Sequence, residues 1–132
     1  MAQQLTVFLG NEAGRFKEVA QTLADACVNI LSFSLADTAD YGILRMICDD
    51  PEKGVKALRA KNIMARSTEV FVVPIKPHCA TLAALLDSIG SDMDIAYMYP
   101  YATQGPDAGM VVKVEHPEIV RERLEKAGYE VR

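Results

Sequence analysis

Apolar residues recur along this chain with two alternating periods, and the whole pattern occurs twice. Phe16, Val19, Ala20 and Leu23 fall at i, i+3, i+4 and i+7, one stripe of a helix. Leu82, Leu85, Leu86 and Ile89 repeat that stripe 66 residues later. Leu44, Met46 and Cys48 alternate with Ile43, Arg45 and Ile47 as a strand requires, and Met110, Val112 and Val114 answer them at the same shift. Asp50-Pro51-Glu52 offers a capping side chain, a first-turn proline and an acid at the positive end of a helix. His116-Pro117-Glu118 repeats it with a poorer cap. Asn62 and Gly128, again 66 apart, are the residue types that best tolerate the left-handed backbone closing a helix. Stripes, caps and stops in common register predict two copies of one unit.

The predicted order is strand 5–9, helix 14–27, strand 30–35, strand 43–48, helix 51–61 and strand 63–67. The second copy follows as strand 70–75, helix 80–89, strands 95–101 and 110–114, helix 117–127 and a stub at 129–132. Each copy reads βαββαβ, which places two helices on one face of a four-stranded antiparallel sheet. The fold class is therefore α+β, two tandem ferredoxin-like units with domains at 1–68 and 69–132. No Gly-, Ser- or Pro-rich linker separates them, so the last strand of the first is expected to run almost directly into the first strand of the second, making a rigid pair. Unpaired edge strands and the short last strand leave backbone groups free, which favours a homodimer or a complex with another protein.

Composition narrows the function. The 132 residues are 50% hydrophobic and 24% charged, an ordinary globular balance, and 14 basic against 18 acidic residues give a net charge of −4, which argues against a phosphate-binding surface. A copy of this size is near the lower limit for folding alone, so the two are expected to support each other. The start has no basic segment leading into a long apolar stretch, and no run approaches the roughly 18 apolar residues of a membrane span; the expectation is a cytoplasmic protein without membrane contact. Cys27, Cys48 and Cys79 are odd in number and form no Cys-x-x-Cys, so reduced thiols are expected, with no disulfide framework, metal site or cofactor.

Candidate chemistry concentrates in the loop Asn11-Glu12-Ala13-Gly14-Arg15-Phe16. A glycine there lets backbone approach a ligand, and free N–H groups at the helix start favour a carboxylate. Asn11 adds an amide, and Asn29 opens the second strand eighteen residues on. Such groups suit a small zwitterion, but spacing alone favours the plainer reading, in which Asn11 and Gly14 make a tight turn and Asn29 caps the helix end. An enzymatic reading rests on Cys79 beside His78 near a helix start. Adjacent loop side chains rarely face each other, no acid is placed to orient His78, and Cys27 and Cys48 fall on apolar faces, so catalysis is not expected. RNA-recognition domains share this element order but carry aromatics on the third strand, which 43–48 and 110–114 lack; with the acidic charge, no nucleic acid is expected.

The motifs Asn11-x-x-Gly14-Arg15-Phe16, Val28-Asn29-Ile30, Ala36-Asp37-Thr38, Tyr41-Gly42-Ile43-Leu44-Arg45 and Asp50-Pro51-Glu52 together resemble the ACT domain, and the resemblance extends over nearly the whole chain as two tandem copies. It implies a regulatory module that binds amino acids between paired units and controls an enzyme of amino-acid metabolism, with no catalysis of its own. It maps the ligand loop to Asn11 through Phe16 and the strand-opening asparagine to Asn29, with Ile30, Ser32 and Ser34 at the pocket edge. Ala13 replaces the proline that often precedes the loop glycine.

The second copy departs further, with Lys76, His78, Cys79 and Ala80 in the loop, Cys79 standing for glycine, and Asp94 before Ile95 in place of the asparagine. Lys76 and Asp94 would either pair with each other or meet opposite ends of a zwitterion. The second site is then degenerate or differently selective. Tyr97, Tyr99 and Tyr101 are expected to share one face, in packing between units or as an aromatic wall. Implied partners are an amino-acid effector, a second copy and a catalytic enzyme. The alternative is a scaffolding subunit that binds its enzyme without a ligand of its own.

Overall fold

A computed structural model describes residues 2–10, 12–37, 40–76, 78–101 and 108–132. The elements are β1 (Ala2–Leu9), α1 (Arg15–Asp25), β2 (Ile30–Asp37), β3 (Gly42–Cys48), α2 (Pro51–Ala60), β4 (Ala65–Ile75), α3 (Thr81–Ile89), β5 (Ile95–Tyr101), β6 (Ala108–Val114) and α4 (Pro117–Lys126). The chain separates into two compact units, Gln3–Thr68 and Glu69–Arg132, the latter joined by Ala2. The two strands expected at 63–67 and 70–75 are one element, β4, because nothing between them breaks an extended backbone.

In the first unit the strand order is β2-β3-β1-β4. Leu5 lies opposite Met46 and Val7 opposite Leu44, while Phe33 and Leu35 of β2 face the same β3 pair from the other side. Since side chains alternate between faces, Leu5, Val7 and Leu9 point the same way as Leu44, Met46 and Cys48. They form one core with Val19 and Leu23 of α1 and Leu58 of α2. Both helices therefore cover one face of the sheet. Leu5, Leu23, Leu44, Met46 and Leu58 are fully enclosed, and truncating any of them to alanine costs about 2–5 kcal/mol.

The second unit repeats the plan as β4-β6-β5, with Phe71, Val73, Val112 and Val114 enclosed beneath Leu85, Ile89, Val120 and Leu124. Its fourth strand is only a stub, in which Arg132 and Val72 exchange N–H···O bonds at 2.9 and 3.0 Å. The stripe expected on α3 is half right: Leu85 and Ile89 are sealed, but Leu82 is 45% and Leu86 36% exposed. A two-helix layer leaves the outer flank of such a stripe at its rim.

Asp50 caps α2, accepting from the Lys53 N–H at 3.2 Å, with Pro51 in the first turn. Asn62 and Gly128 adopt φ of 59° and 91°. They close α2 and α4 with the six-residue bonds Ile63 N–H to Leu58 O and Tyr129 N–H to Leu124 O, each 3.0 Å, as Schellman endings do. Helix α1 stops two residues before the expected 27. Cys27, at φ 57°, takes the left-handed position, and the Val28 N–H reaches back to Leu23 O at 2.9 Å. Cys27 is thus exposed rather than on the apolar face, while Cys48 is buried and its thiol is pushed up to about 11, first by burial and then by Asp49.

Candidate functional site

The first loop leaves β1 at exposed Gly10 and enters α1 through Gly14, whose φ of 86° lies in the left-handed region where a Cβ is strained. Among the described residues no side chain caps α1. The N–H groups of a helix's first turn carry the positive end of its dipole. Arg15 bridges Glu12 and Glu18 at 3.1 Å each, an exposed network that fixes the loop's charge more than its stability. Phe16 turns inward, partly buried against the core, its ring 5.4 Å from that of Phe33 in an edge-on contact.

These residues bound a cleft of about 420 Å³ whose opposite wall is Leu35, Ala36 and Asp37 of β2 with Gly42 of β3. Pairing explains the meeting: Gly42 sits beside Leu9 on one side and beside Asp37 on the other, so the β2–β3 hairpin ends where β1 ends. Glu12, Ala13, Gly14, Arg15 and Phe16 are therefore brought together, and Asn11 lies outside the described residues. Asp37 brings an exposed carboxylate to the rim opposite the N–H groups of α1. The sequence reading did not include Leu35, Ala36, Asp37 or Gly42 in the site. The signal was available in strand direction, since a chain that leaves along β1 and returns by a hairpin must present that hairpin's turn beside the loop.

Asn29, Ile30 and Ser32 are not part of this cluster. Ile30 pairs with Cys48 while Asp37 pairs with Gly42, which puts Asn29 at the far end of the sheet, about 26 Å away at strand rise. Its backbone is strapped to Asp49 instead: the Asn29 N–H donates to Asp49 Oδ1 at 3.0 Å and its carbonyl accepts from the Asp49 N–H at 3.1 Å. Ile30 packs on the core, and Ser32 and Ser34 are half-buried along the strand.

The second loop is built differently. The helix entry moves by one residue from the expected alignment: Ala80, not Cys79, is the N-cap of α3, and its φ of −98° lies in the ordinary region where Gly14, the N-cap of α1, has 86°, so this turn needs no glycine. His78 closes it: the Ala80 N–H donates to His78 Nδ1 and the Thr81 N–H to the His78 carbonyl, both at 3.1 Å. The Thr81 hydroxyl is 2.8 Å from the Lys76 carbonyl. Because Nδ1 already accepts a hydrogen bond, and Cys79 Sγ is 4.0 Å from it, His78 is not placed to take the thiol proton. Asp94 and Ile95 lie at the other end of the second unit, Ile95 opposite Val114 and Tyr101 opposite Gly109, whereas Lys76 follows Ile75, which pairs with Ala108. Lys76 and Asp94 thus do not pair within the unit, because eighteen residues carry the chain down the helix to the opposite sheet end. Tyr97, Tyr99 and Tyr101 share the face away from the helices, and the Tyr97 and Tyr99 rings are 6.5 Å apart.

Among the described residues no three His, Cys, Asp or Glu side chains gather as a metal site would need, and no helix is long and apolar enough to cross a membrane.

Residues 1–128 match the family described as the ACT domain pair. The crystal structure of protein BT0572 from Bacteroides thetaiotaomicron superposes with a TM-score of 0.91 at 31% identity, covering 99% of this chain and 91% of that one. The ligand-free regulatory subunit of aspartate kinase from Thermus thermophilus gives a TM-score of 0.64 at 15% identity, covering 95% and 91%. The corresponding subunit from Thermus flavus gives 0.62 at 15%, covering 96% and 93%. At such identity these two share the fold. Comparison with curated protein sequences gives no match.

Proposed function

The chain belongs to the ACT domain-pair family, and from that premise we propose that it is a regulatory protein whose first unit binds a free amino acid and thereby modulates an enzyme of amino-acid metabolism. The observation that carries this reading is the cleft between Gly14 and Asp37. Its two walls suit a zwitterion: the N–H groups at the start of α1 for the carboxylate and the Asp37 carboxylate for the ammonium. About 420 Å³ falls in the usual range of small-molecule sites. No catalytic step is needed, and a sensor of free amino acids with unpaired thiols suits the cytoplasm.

In this reading Asn29 serves a second copy. β2 ends its sheet, carries no charge from Ile30 to Ala36, and leaves Phe33 54% and Leu35 51% exposed, an edge without the usual guards against pairing. Two β2 strands paired antiparallel about a two-fold axis set one copy's Asn29 beside the other's Asp37. A ligand lodged there favours the paired state, and that differential affinity is the regulatory signal. A scaffolding subunit that binds its enzyme without a ligand is the second reading, favoured by the exposed Leu82 and Leu86 on α3.

The test is a thermal-shift screen against the twenty amino acids at millimolar concentration, since selective binding to the native state raises Tm by mass action. A selective effector should stabilise the wild type and Gly14→Asn, whose side chain tolerates the left-handed backbone. It should not stabilise Gly14→Asp, which sets a like charge against the incoming carboxylate. A cooperative melt that no amino acid shifts would leave the scaffolding reading in its place.

A further inference from the structure

Arg15 lines two clefts. Besides the one that reaches Asp37, it borders a second, of about 240 Å³, between the β1–α1 loop and the turn from α2 to β4. Phe8, Val19 and Ile63 give this cleft an apolar lining, while α1 supplies Arg15 and Glu18 and the end of α2 supplies Lys61. Both sides are held in place. Arg15 is bridged to Glu12 and Glu18 at 3.1 Å each. The turn is closed by the Ile63 N–H to Leu58 O bond at 3.0 Å, and the Phe8 N–H donates to the Met64 carbonyl at 3.3 Å. We propose that this cleft binds a small monocarboxylate, its carboxylate between Arg15 and Lys61 and its alkyl part on the apolar lining.

Charge and size set the ligand class. A guanidinium has five N–H donors, of which Arg15 spends one on Glu18 and one on Glu12, and Lys61 adds an ammonium. A carboxylate there gains charge-assisted bonds from two sides. The two acids and Arg15 together carry one negative charge, which Lys61 cancels, so a monoanion is tolerated while a dianion meets Glu18 without a balancing cation. At about 240 Å³ the cleft is smaller than the roughly 300–1,000 Å³ of drug-sized sites, which limits the ligand to a few carbons. The fold itself does not require these charges. The second copy starts its first helix with Thr81 in place of Arg15, has Ala84 for Glu18, and ends its second helix at Ala127 in place of Lys61. Its turn still closes with the same bond, Tyr129 N–H to Leu124 O at 3.0 Å. A carboxylate held by Arg15 and Lys61 goes beyond the amino-acid reading and is independent of it.

The test is a titration of the full-length 15N-labelled chain with sodium propionate, at an ionic strength held constant with sodium chloride. The amides of Gly10 and of Asn62, Ile63 and Met64 should shift and saturate, while those of Gly128, Tyr129 and Glu130 at the equivalent turn stay. Lys61→Ala gives this turn the residue of the second copy and so keeps its closure. It should weaken propionate binding about tenfold or more, the scale of one lost charge-assisted hydrogen bond, and Lys61→Arg should retain it. Sodium sulfate should leave the same amides unshifted. Shifts that grow without saturating, equal affinity in Lys61→Ala, or equal binding of sulfate would each overturn the monocarboxylate site. Propionate shifts confined to Glu12, Ala13, Gly14 and Asp37 would overturn it as well, since the carboxylate would then occupy the other cleft.

Discussion

Arg123 of α4 grips Asp92 through both ends of its guanidinium, Nη1 to Oδ1 at 2.7 Å and Nη2 to Oδ2 at 2.9 Å. Nη1 also donates to the Ile89 carbonyl at 2.9 Å. The fork therefore closes the C-terminal end of α3 and ties it to α4. The hydrogen bond from Arg123 is the largest cause that lowers the Asp92 carboxyl from 3.8 to about 2. A depressed acid contributes stability that is present above its unfolded value and lost as pH falls through its folded one. The expected window is therefore from 3.8 down to about 2. In a 13C titration Asp92 should show its midpoint near 2 in the wild type and return toward the ordinary carboxylate range in Arg123→Ala. Gly90→Ala should act in the same way, because a Cβ at Gly90 runs into Arg123 Nη1.

Gly54 lets α2 lie close to the sheet. A Cβ there would come within 2.9 Å of Leu5 Cδ2 and 3.4 Å of Leu23 Cδ2. Two effects oppose each other in Gly54→Ala: helix propensity gains about 1 kcal/mol, and overpacking costs about 1–3 kcal/mol. A net loss of about 1 kcal/mol is expected by urea unfolding, since Leu5 is fully enclosed and has little room to yield. Gly54→Val, bulkier and with a smaller propensity gain, should lose more. A stabilised Gly54→Ala would show that the core beneath α2 has slack.

Cys27 pays for the left-handed position that glycine occupies without strain. An L-residue at φ 57° costs about 1–2 kcal/mol, partly offset by the greater unfolded-state freedom of glycine. Cys27→Gly should therefore stabilise the protein by about 0.5–1 kcal/mol, read as a raised urea midpoint with unchanged slope. The other two Schellman endings, at Asn62 and Gly128, already carry residues suited to that backbone.

What the sequence revealed divides along the same line. Asp50, Asn62 and Gly128 were legible because a cap or a helix stop acts through its own side chain or the lack of one. Leu85 and Ile89 were legible through period. Cys27 was not, since nothing local marks a cysteine as a helix terminator and the six-residue bond from Val28 decides it. Leu82 and Leu86 show that period gives a direction without giving the width of the covering layer. For the site, Gly14 was visible as a turn glycine. That Asp37, and not Asn29, lies across the cleft from it within one chain was not legible, because spacing along the chain does not say which end of the sheet a residue reaches; the pairing of Gly42 with Leu9 and Asp37 does.

The three thiols should separate by reactivity. Cys27 and Cys79 are exposed and Cys48 is buried in the first core, where burial and Asp49 raise it from 9.0 to about 11. Only the thiolate attacks an aromatic disulfide reagent, so at pH 8 the native protein should release two equivalents quickly, and the third only on unfolding in denaturant. The sign for stability follows from the same shift. A thiol held protonated in the fold contributes stability that is intact below 9.0 and is lost as pH rises toward 11, because the unfolded chain ionises first. Cys48→Ala should flatten the loss of stability across that alkaline range, at the cost of the small void left between β3 and the helices. Three equally fast equivalents at pH 8 would mean that the end of β3 opens on the timescale of the reaction, and the strap between Asn29 and Asp49 would be the contact to examine by hydrogen exchange.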